Sequence, residues 1–219
     1  MKYKYIIFDF NGTIIDDVQL CLDLLNDILK LEELPLVNME KYKNIFTFPI
    51  IEYYKRAGIT FEKHSFKELS TWFVNKYQPL SFECDLYPGI VDIITKLKND
   101  GYKVILLSAS QIDNLIEQTN KFNITHLFDK ILGIDNIEAK SKLDIAMNYF
   151  VNNSINMSEC LFIGDSTHDY EVGHSLGGDV VLISHGHQSN EVLSSCGVPI
   201  IDSIYELEKY LWLKQYYLI

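Results

Sequence analysis

Short apolar runs of β character recur along the chain, and each stops abruptly at small or polar residues. They are YIIF before Asp9, KVILLSAS at 103–110, KILGI at 130–134, CLFIGDS at 160–166 and VVLISHG at 180–186, with a weaker VPIID at 198–202. Between them lie stretches of helical period at 89–100, 111–122, 140–151, 168–176, 188–195 and 202–215. Continuous apolar strands alternating with helices demand a parallel sheet covered on both faces. The expected class is therefore α/β, a Rossmann-like doubly wound sheet. Such sheets bind ligands beyond the carboxyl ends of their strands. Asp9, Ser108 and Asp165 all fall at such ends, so the strand pattern itself gathers them into one place.

Residues 15–85 interrupt this alternation. DDVQLCLDLLNDILKLEEL spaces Val18, Leu22, Leu25, Ile28 and Leu29 at helical intervals, and two further helical stretches follow, punctuated by Pro35, Pro49 and Pro79. A crossover of this length without a strand is unusual. The expected organisation is a core of 1–14 and 86–219 with an all-helical insertion, 15–85, after the first strand. YPGI at 87–90 marks the return to the core.

The net charge of −11 argues against nucleic acid or an anionic membrane as partner, since both need clustered Lys and Arg. It also means that an anionic substrate needs local cations or a metal. Cys21, Cys84, Cys160 and Cys196 form no C-x-x-C pair and read as free thiols of a reducing compartment. MKYKYIIFDF has no signal-peptide character, and no apolar run approaches the ~20 residues of a membrane span. These features lead us to expect a soluble, cytoplasmic protein.

The acids at the strand ends carry the chemistry. Asp9 alone reads as a cap or turn residue, but Gly12 permits close backbone approach and Thr13 adds a hydroxyl, and free N–H groups there can hold an anion. Ser108 suits a donor to phosphate, or simply an N-cap for the next helix. LFIGDSTHDYEVG supplies Asp165 and, four residues on, Asp169. Three acids converging on one sheet edge call for a hard cation with oxygen ligands, Mg²⁺ being the natural choice. Lys140 and Lys142 lie two apart and cannot share a helix face, so periodicity leaves open which of them points inward. His185 and His187 read as loop residues, with no nearby Cys or acid to complete a metal site. In EYYKRAG, Tyr54, Lys55 and Arg56 are expected to pack in a helix and to meet the cleft from the insertion.

In this order, Asp9-Phe10-Asn11-Gly12-Thr13, Ser108, a lysine near 142 and Gly164-Asp165-x-x-x-Asp169 resemble the four motifs of the haloacid dehalogenase superfamily. The chain as a whole is similar to the phosphoglycolate phosphatase-like branch, with its helical cap. The resemblance implies phosphoryl transfer to Asp9 through an aspartyl-phosphate. It implies Mg²⁺ held by Asp9, the backbone carbonyl of Asn11, Asp165 and Asp169. Ser108 and Lys142 would bind phosphate oxygens, Lys142 being preferred because A-x-S-K resembles relatives. Gly12, Thr13, Ala109 and Arg56 complete the expected substrate-binding set, and the substrate is expected to be a small phosphorylated metabolite.

One residue departs from the pattern. Phosphatases of this family carry an acid two residues after the nucleophile, where this chain has Asn11. An amide neither gives nor takes the proton, and general acid–base catalysis is worth ~10²–10⁴-fold. The expectation is a slow hydrolase or, alternatively, a phosphate-sensing protein with little turnover. A dehalogenase would not need the Asp165/Asp169 pair, and a response-regulator receiver is shorter and lacks a cap.

Overall fold

A computed structural model of the chain describes residues 2–134 and 141–216. Among the described residues, eight strands and ten α-helices follow one another. Strand β1 (Tyr5–Phe8) leads to β2 (Ile15–Asp16), then to helices α1 (Val18–Leu31), α2 (Met39–Ile45), α3 (Ile50–Arg56) and α4 (Phe66–Ser81). Strand β3 (Asp85–Leu86) and α5 (Ile90–Asn99) precede β4 (Lys103–Gln111), α6 (Ile112–Lys121) and β5 (Lys130–Ile134). The chain continues through α7 (Lys142–Asn152), β6 (Cys160–Gly164), α8 (Thr167–Leu176) and β7 (Asp179–Ile183). It closes with α9 (Asn190–Ser194), β8 (Ile200–Ile201) and α10 (Glu206–Tyr216).

Six strands form one parallel sheet in the order β5-β4-β1-β6-β7-β8. Each apolar run anticipated from the sequence is a strand of this sheet. Counted along the chain, these six strands lie in the order 3-2-1-4-5-6, that of a doubly wound nucleotide-binding sheet. The order reverses between β1 and β6, and the crevice at such a switch point is where these folds bind ligands. Asp9 follows β1 and Asp165 follows β6, so the topology sets the two acids side by side.

Strand residues alternate between two cores. Ile6, Phe8, Val104 and Leu106 pack with residues of α5, α6 and α10. Ile7, Ile105, Leu107 and Phe162 pack with residues of α7, α8 and α9. Both faces are thus dry, which is why the strands read as unbroken apolar runs.

Helices α1–α4 enclose a third core of their own, centred on Leu25, Ile28, Leu29, Tyr42 and Tyr54. Helix α4 starts at a capping box, in which Ser65 accepts from the Glu68 N–H and Glu68 returns a bond to the Ser65 N–H. Pro79 does not end this helix at once, as the sequence suggests; the helix runs two residues beyond it, to Ser81. The short strands β2 and β3 pair antiparallel at the two points where the chain leaves and re-enters the core. These two-residue strands have no periodicity and were not anticipated.

Candidate active site

The end of β1 places Asp9 over the switch point, and its carboxylate accepts from the Lys142 ammonium. Lys142, in the first turn of α7, also donates to Asp169 Oδ1 at 2.5 Å. Asp169 uses its other oxygen to cap its own helix: Oδ2 accepts from the Ser166 N–H and hydroxyl at 3.1 and 2.6 Å. The capping role and the site role of Asp169 therefore coexist. Asp165 accepts from the His187 N–H at 2.6 Å and from the Thr13 hydroxyl at 3.3 Å.

Two glycines let the Asp165 carboxylate sit this deep. Gly12 has φ +68°, and a Cβ there would lie 2.4 Å from Asp165 Oδ2; a Cβ on Gly186 would lie 2.1 Å from the same atom. Both positions therefore exclude a side chain.

Asp9, Asp165 and Asp169 each bring one carboxylate oxygen within 4.8 Å of the others. Burial pushes the carboxyl of Asp9 up to about 8, against the lowering pull of Lys142. Burial likewise raises Asp165 to about 6. One lysine does not balance three acids, two of them buried, and the donors are all hard oxygens. The set fits a divalent cation of the Mg²⁺ type.

Ser108 is buried within β4, three residues before its end and where the pairing with β5 shifts register, and faces the same cavity. Its oxygen accepts from the Ser110 N–H at 3.0 Å, which leaves its proton free to donate. The cap of α6 is Gln111, whose side chain accepts from the Asn114 N–H, and not Ser108. Ala109 lines the cavity beside it. Lys140 lies outside the described residues.

Three expectations need correction. The Gly12 N–H is not available to an anion, because it donates to Asp17 Oδ1 at 2.8 Å. The Thr13 N–H donates to the Phe10 carbonyl and its hydroxyl faces Asp165, so it too is spent inside the turn. Arg56 is exposed at the end of α3, away from the cavity, and Lys55 pairs with Glu52 in solvent. The turn of α3 presents Tyr53 and Tyr54 to the cavity instead. Lastly, His187 is not a plain loop residue; it is buried, with Asp17 and Cys21 beside it.

Asp17 and His187 form a polar network that sequence reasoning did not find. Asp17 stands at the N-cap of α1 but makes no cap bond. Its fully buried carboxylate accepts instead from the Asn11 amide at 2.8 Å, the Gly12 N–H, the Tyr77 hydroxyl at 2.6 Å and His187 Nε2 at 3.2 Å. Because a carboxylate only accepts, the amide nitrogen of Asn11 must face it. The Asn11 oxygen then accepts from the Ser110 hydroxyl at 3.1 Å. His187 Nδ1 meets the Tyr42 hydroxyl at 2.7 Å. Burial works against the charged imidazole, but the carboxylates of Asp17, Asp165 and Asp9 hold it protonated up to about 9. Burial alone would raise Asp17; the His187 charge and the Tyr77 and Asn11 donors bring it below the usual carboxylate range. Both ring nitrogens of His187 are engaged in this way, which disfavours Asp17, Cys21 and His187 as a metal site. Replacing His187 by Ala strands the Asp17 charge, and is expected to cost ~3 kcal/mol in urea denaturation. A loss below ~1 kcal/mol would show that the Asp17 charge is already balanced by its remaining donors.

Helices α2–α4 roof the strand ends and enclose a cavity of about 380 Å³. Its floor carries Asp9, Asn11, Ser108, Lys142, Asp165 and Asp169. The roof contributes Tyr42, Phe46, Phe48, Tyr53, Tyr54 and Tyr77, among other apolar residues. The helices are tied to the loop after β7 by Gln188 Nε2 on the Phe46 carbonyl at 2.8 Å and Lys43 Nζ on the His185 carbonyl at 3.1 Å.

Comparison with known proteins accords with this geometry. The sequence profile described as "Haloacid dehalogenase-like hydrolase" matches residues 6–183, most of the chain. The chain belongs to this family. Within the haloacid dehalogenase-like hydrolases it falls in the phosphoglycolate phosphatase-like branch, and it is a phosphatase in type. It is 24% identical to phosphoglycolate phosphatase of Haemophilus influenzae (strain KW20 / Rd) over 86% of this chain and 89% of that protein. It is 24% identical to phosphoglycolate phosphatase of Pasteurella multocida over 92% of each. A match to the Aliivibrio fischeri phosphoglycolate phosphatase spans about half of each, 50% of this chain and 48% of that protein. Among solved structures, a haloacid dehalogenase-like hydrolase from Streptococcus pneumoniae superposes with a TM-score of 0.83 at 18% identity, covering 96% of this chain and 99% of that one. CbbY from Rhodobacter sphaeroides, solved with xylulose-1,5-bisphosphate, gives 0.71 at 20% identity, covering 94% and 96%. These two likenesses speak to the fold. No helix among the described residues is long and apolar enough to cross a membrane.

Proposed function

We propose that this haloacid dehalogenase-like hydrolase is a Mg²⁺-dependent phosphomonoesterase on a small phosphorylated metabolite, slowed by the amide at position 11. The observation that carries the reading is the meeting of Asp9, Asp165, Asp169 and Lys142 at the switch point of the sheet. Asp9, the Asn11 carbonyl, Asp165 and Asp169 would hold the ion. When bound, it would neutralise phosphate charge and stabilise the charge that develops in transfer.

The chain's own groups do the rest. Lys142 fixes one oxygen of Asp9 and leaves the other to attack phosphorus, forming an aspartyl-phosphate as the ester P–O bond breaks. The Ser108 hydroxyl donates to a phosphate oxygen as charge builds on it. Water then cleaves the aspartyl-phosphate and regenerates Asp9. Nothing at position 11 supplies or removes a proton in either step, because a carboxamide does not ionise near neutral pH; Asp17, Tyr77 and Ser110 hold it in place. That same amide favours the second reading, a phosphate-binding protein with little turnover. The helical unit 15–85 serves in either case as the cap that encloses the substrate.

The test is phosphate release from a panel of phosphomonoesters with Mg²⁺ and with excess chelator, alongside thermal melts in each condition. Mg²⁺-dependent release and a rise in Tm with Mg²⁺ are expected, since a ligand of the native state stabilises it. Release that persists in chelator would overturn the metal assignment; a Tm rise with no release on any ester favours the binding protein.

A further inference from the structure

Building on the phosphatase reading above, we infer that the site takes monoesters of neutral aromatic alcohols, aryl or arylmethyl phosphates, rather than esters whose leaving group carries a second anion. Two separate features lead there: the charge inventory of the roof and the amide at position 11.

The roof helices α2–α4 place aromatic rings around the cavity, and no cationic side chain of these helices lines it. Lys43 is turned to the His185 carbonyl, Lys55 to Glu52, and Arg56 to solvent. Burial pushes the hydroxyls of Tyr53 and Tyr54 further up, so both remain neutral phenols. The polar groups that this part of the chain adds beyond its tyrosines are Ser70 and Gln78, also uncharged.

The lysine and histidines that do line the cavity come from the core, and each has a partner. Lys142 lies between Asp9 and Asp169, His187 against Asp17, and His168 is stacked on Phe48 at 4.6 Å, with Glu171 3.5 Å from its Nδ1. A carboxylate or second phosphate on the leaving group would therefore be stripped of water among rings with no counter-charge. Phosphoglycolate carries such a carboxylate. A neutral ring instead finds rings to pack against; Phe46 and Phe48, for example, meet nearly perpendicularly, at 88° and 5.7 Å. The cavity of about 380 Å³ falls in the ~300–1,000 Å³ range that holds whole organic ligands.

The amide at position 11 favours the aryl members of this class over the arylmethyl ones. As the Asp9 oxygen bonds to phosphorus, the P–O bond to an aryl group breaks and its electron pair leaves on a phenolate. With a phenol pKa of ~10, that oxygen departs without a donated proton and takes one from water afterwards. Water then attacks the aspartyl-phosphate, releasing phosphate and restoring the carboxylate. Such esters need least from the proton donor this chain lacks.

Two measurements test the inference. Binding of benzylphosphonate and phosphonoacetate in Mg²⁺ is compared by calorimetry, and kcat/KM is compared for phenyl, 1-naphthyl and benzyl phosphates against phosphoglycolate. Benzyl phosphate and phosphoglycolate both have alkyl leaving groups, so their ratio isolates ring recognition from leaving-group reactivity. The neutral aromatic member is expected to win each comparison by about 10-fold or more. Val74 lines the cavity and is 47% exposed, outside the buried cores, so Val74→Arg adds a cation there without filling a core position. It is expected to move both ratios toward the anionic member. If phosphoglycolate or phosphonoacetate equals or exceeds its aromatic counterpart in the unaltered protein, the inference falls while the phosphatase reading stands. If no ester is hydrolysed, the phosphatase reading falls, and the phosphonate pair still decides what the cavity prefers.

Discussion

Asp9→Asn abolishes phosphate release, by on the order of 10⁴-fold or more in kcat, while leaving the fold intact. The substitution keeps the shape of the side chain, and Lys142 retains Asp169 as a partner. What disappears is the oxygen that attacks phosphorus. The same variant has a signature in metal-free protein that reports the burial of this carboxylate. The folded pKa of Asp9 is raised from 3.8 to about 8 by burial, so the folded state binds this proton more tightly than the unfolded one. A raised pKa stabilises fully below the unfolded value and is lost as pH climbs through the folded value. In chelator, the Tm of the unaltered protein should therefore fall between about pH 4 and pH 8 more steeply than that of Asp9→Asn. Parallel Tm profiles would mean that Asp9 is already ionised by its contact with Lys142. Residual phosphate release within ~10-fold of the unaltered enzyme would remove Asp9 from the chemistry altogether.

Asn11→Asp raises turnover of alkyl phosphates by about 10²-fold, the low end of what general acid–base catalysis contributes. Asn and Asp share a shape, but their surroundings here do not treat them alike. The Asn11 nitrogen lies 2.8 Å from Asp17 Oδ2, so a carboxylate there faces another carboxylate. Two acids at this separation cannot both ionise, and the proton is retained at neutral pH. A retained proton is what a leaving alkoxide needs. The cost is lost stability, and the double variant Asn11→Asp with Asp17→Asn, which exchanges acid and amide across the same hydrogen bond, should lessen the clash. Kinetics on an alkyl and an aryl phosphate check the idea, since the aryl ester should gain far less in its first step. If both variants fold, bind Mg²⁺ and show no gain on the alkyl ester, another group already supplies the proton. Tyr77 and His187, the nearest proton-bearing side chains of that network, would then be tested.

What could be read in the sequence was local. Asp9, Ser108 and Asp165 each end an apolar run, so strand recognition alone brought them together; Asp169 follows Asp165 by one helical turn. Lys142 was separable from Lys140 only by likeness to relatives, because a helix start places either residue toward a neighbour. The Asp17–His187 pair was not legible. Asp17 precedes an apolar helix and so looks like a cap, and His187 is 170 residues away in a loop without period. Their meeting depends on how the turn after β1 packs against the loop after β7, which no one-dimensional pattern encodes. Tyr77 was hidden for a related reason: on an amphipathic helix, a tyrosine that faces a site and one that fills a core leave the same trace. Arg56 is not settled by the sequence, because EYYKRAG does not show which of its residues a short helix turns to the cleft; α3 turns its rings inward and its charges to water.

The two-stranded ribbon β2–β3 pairs Asp16 directly with Asp85, and Ile15 with Leu86. Paired residues on antiparallel strands lie ~4.5–5.5 Å apart, little more than one peptide unit. Everything between them leaves and returns through a single doorway, and has an apolar interior of its own. The roof over the strand ends is thus threaded apart from the sheet, yet it carries Asp17, Tyr42 and Tyr77, whose bonds hold Asn11, Gly12 and His187 in place. A change in the inserted segment therefore reaches the turn after β1 through these bonds, and lining and strand ends vary together.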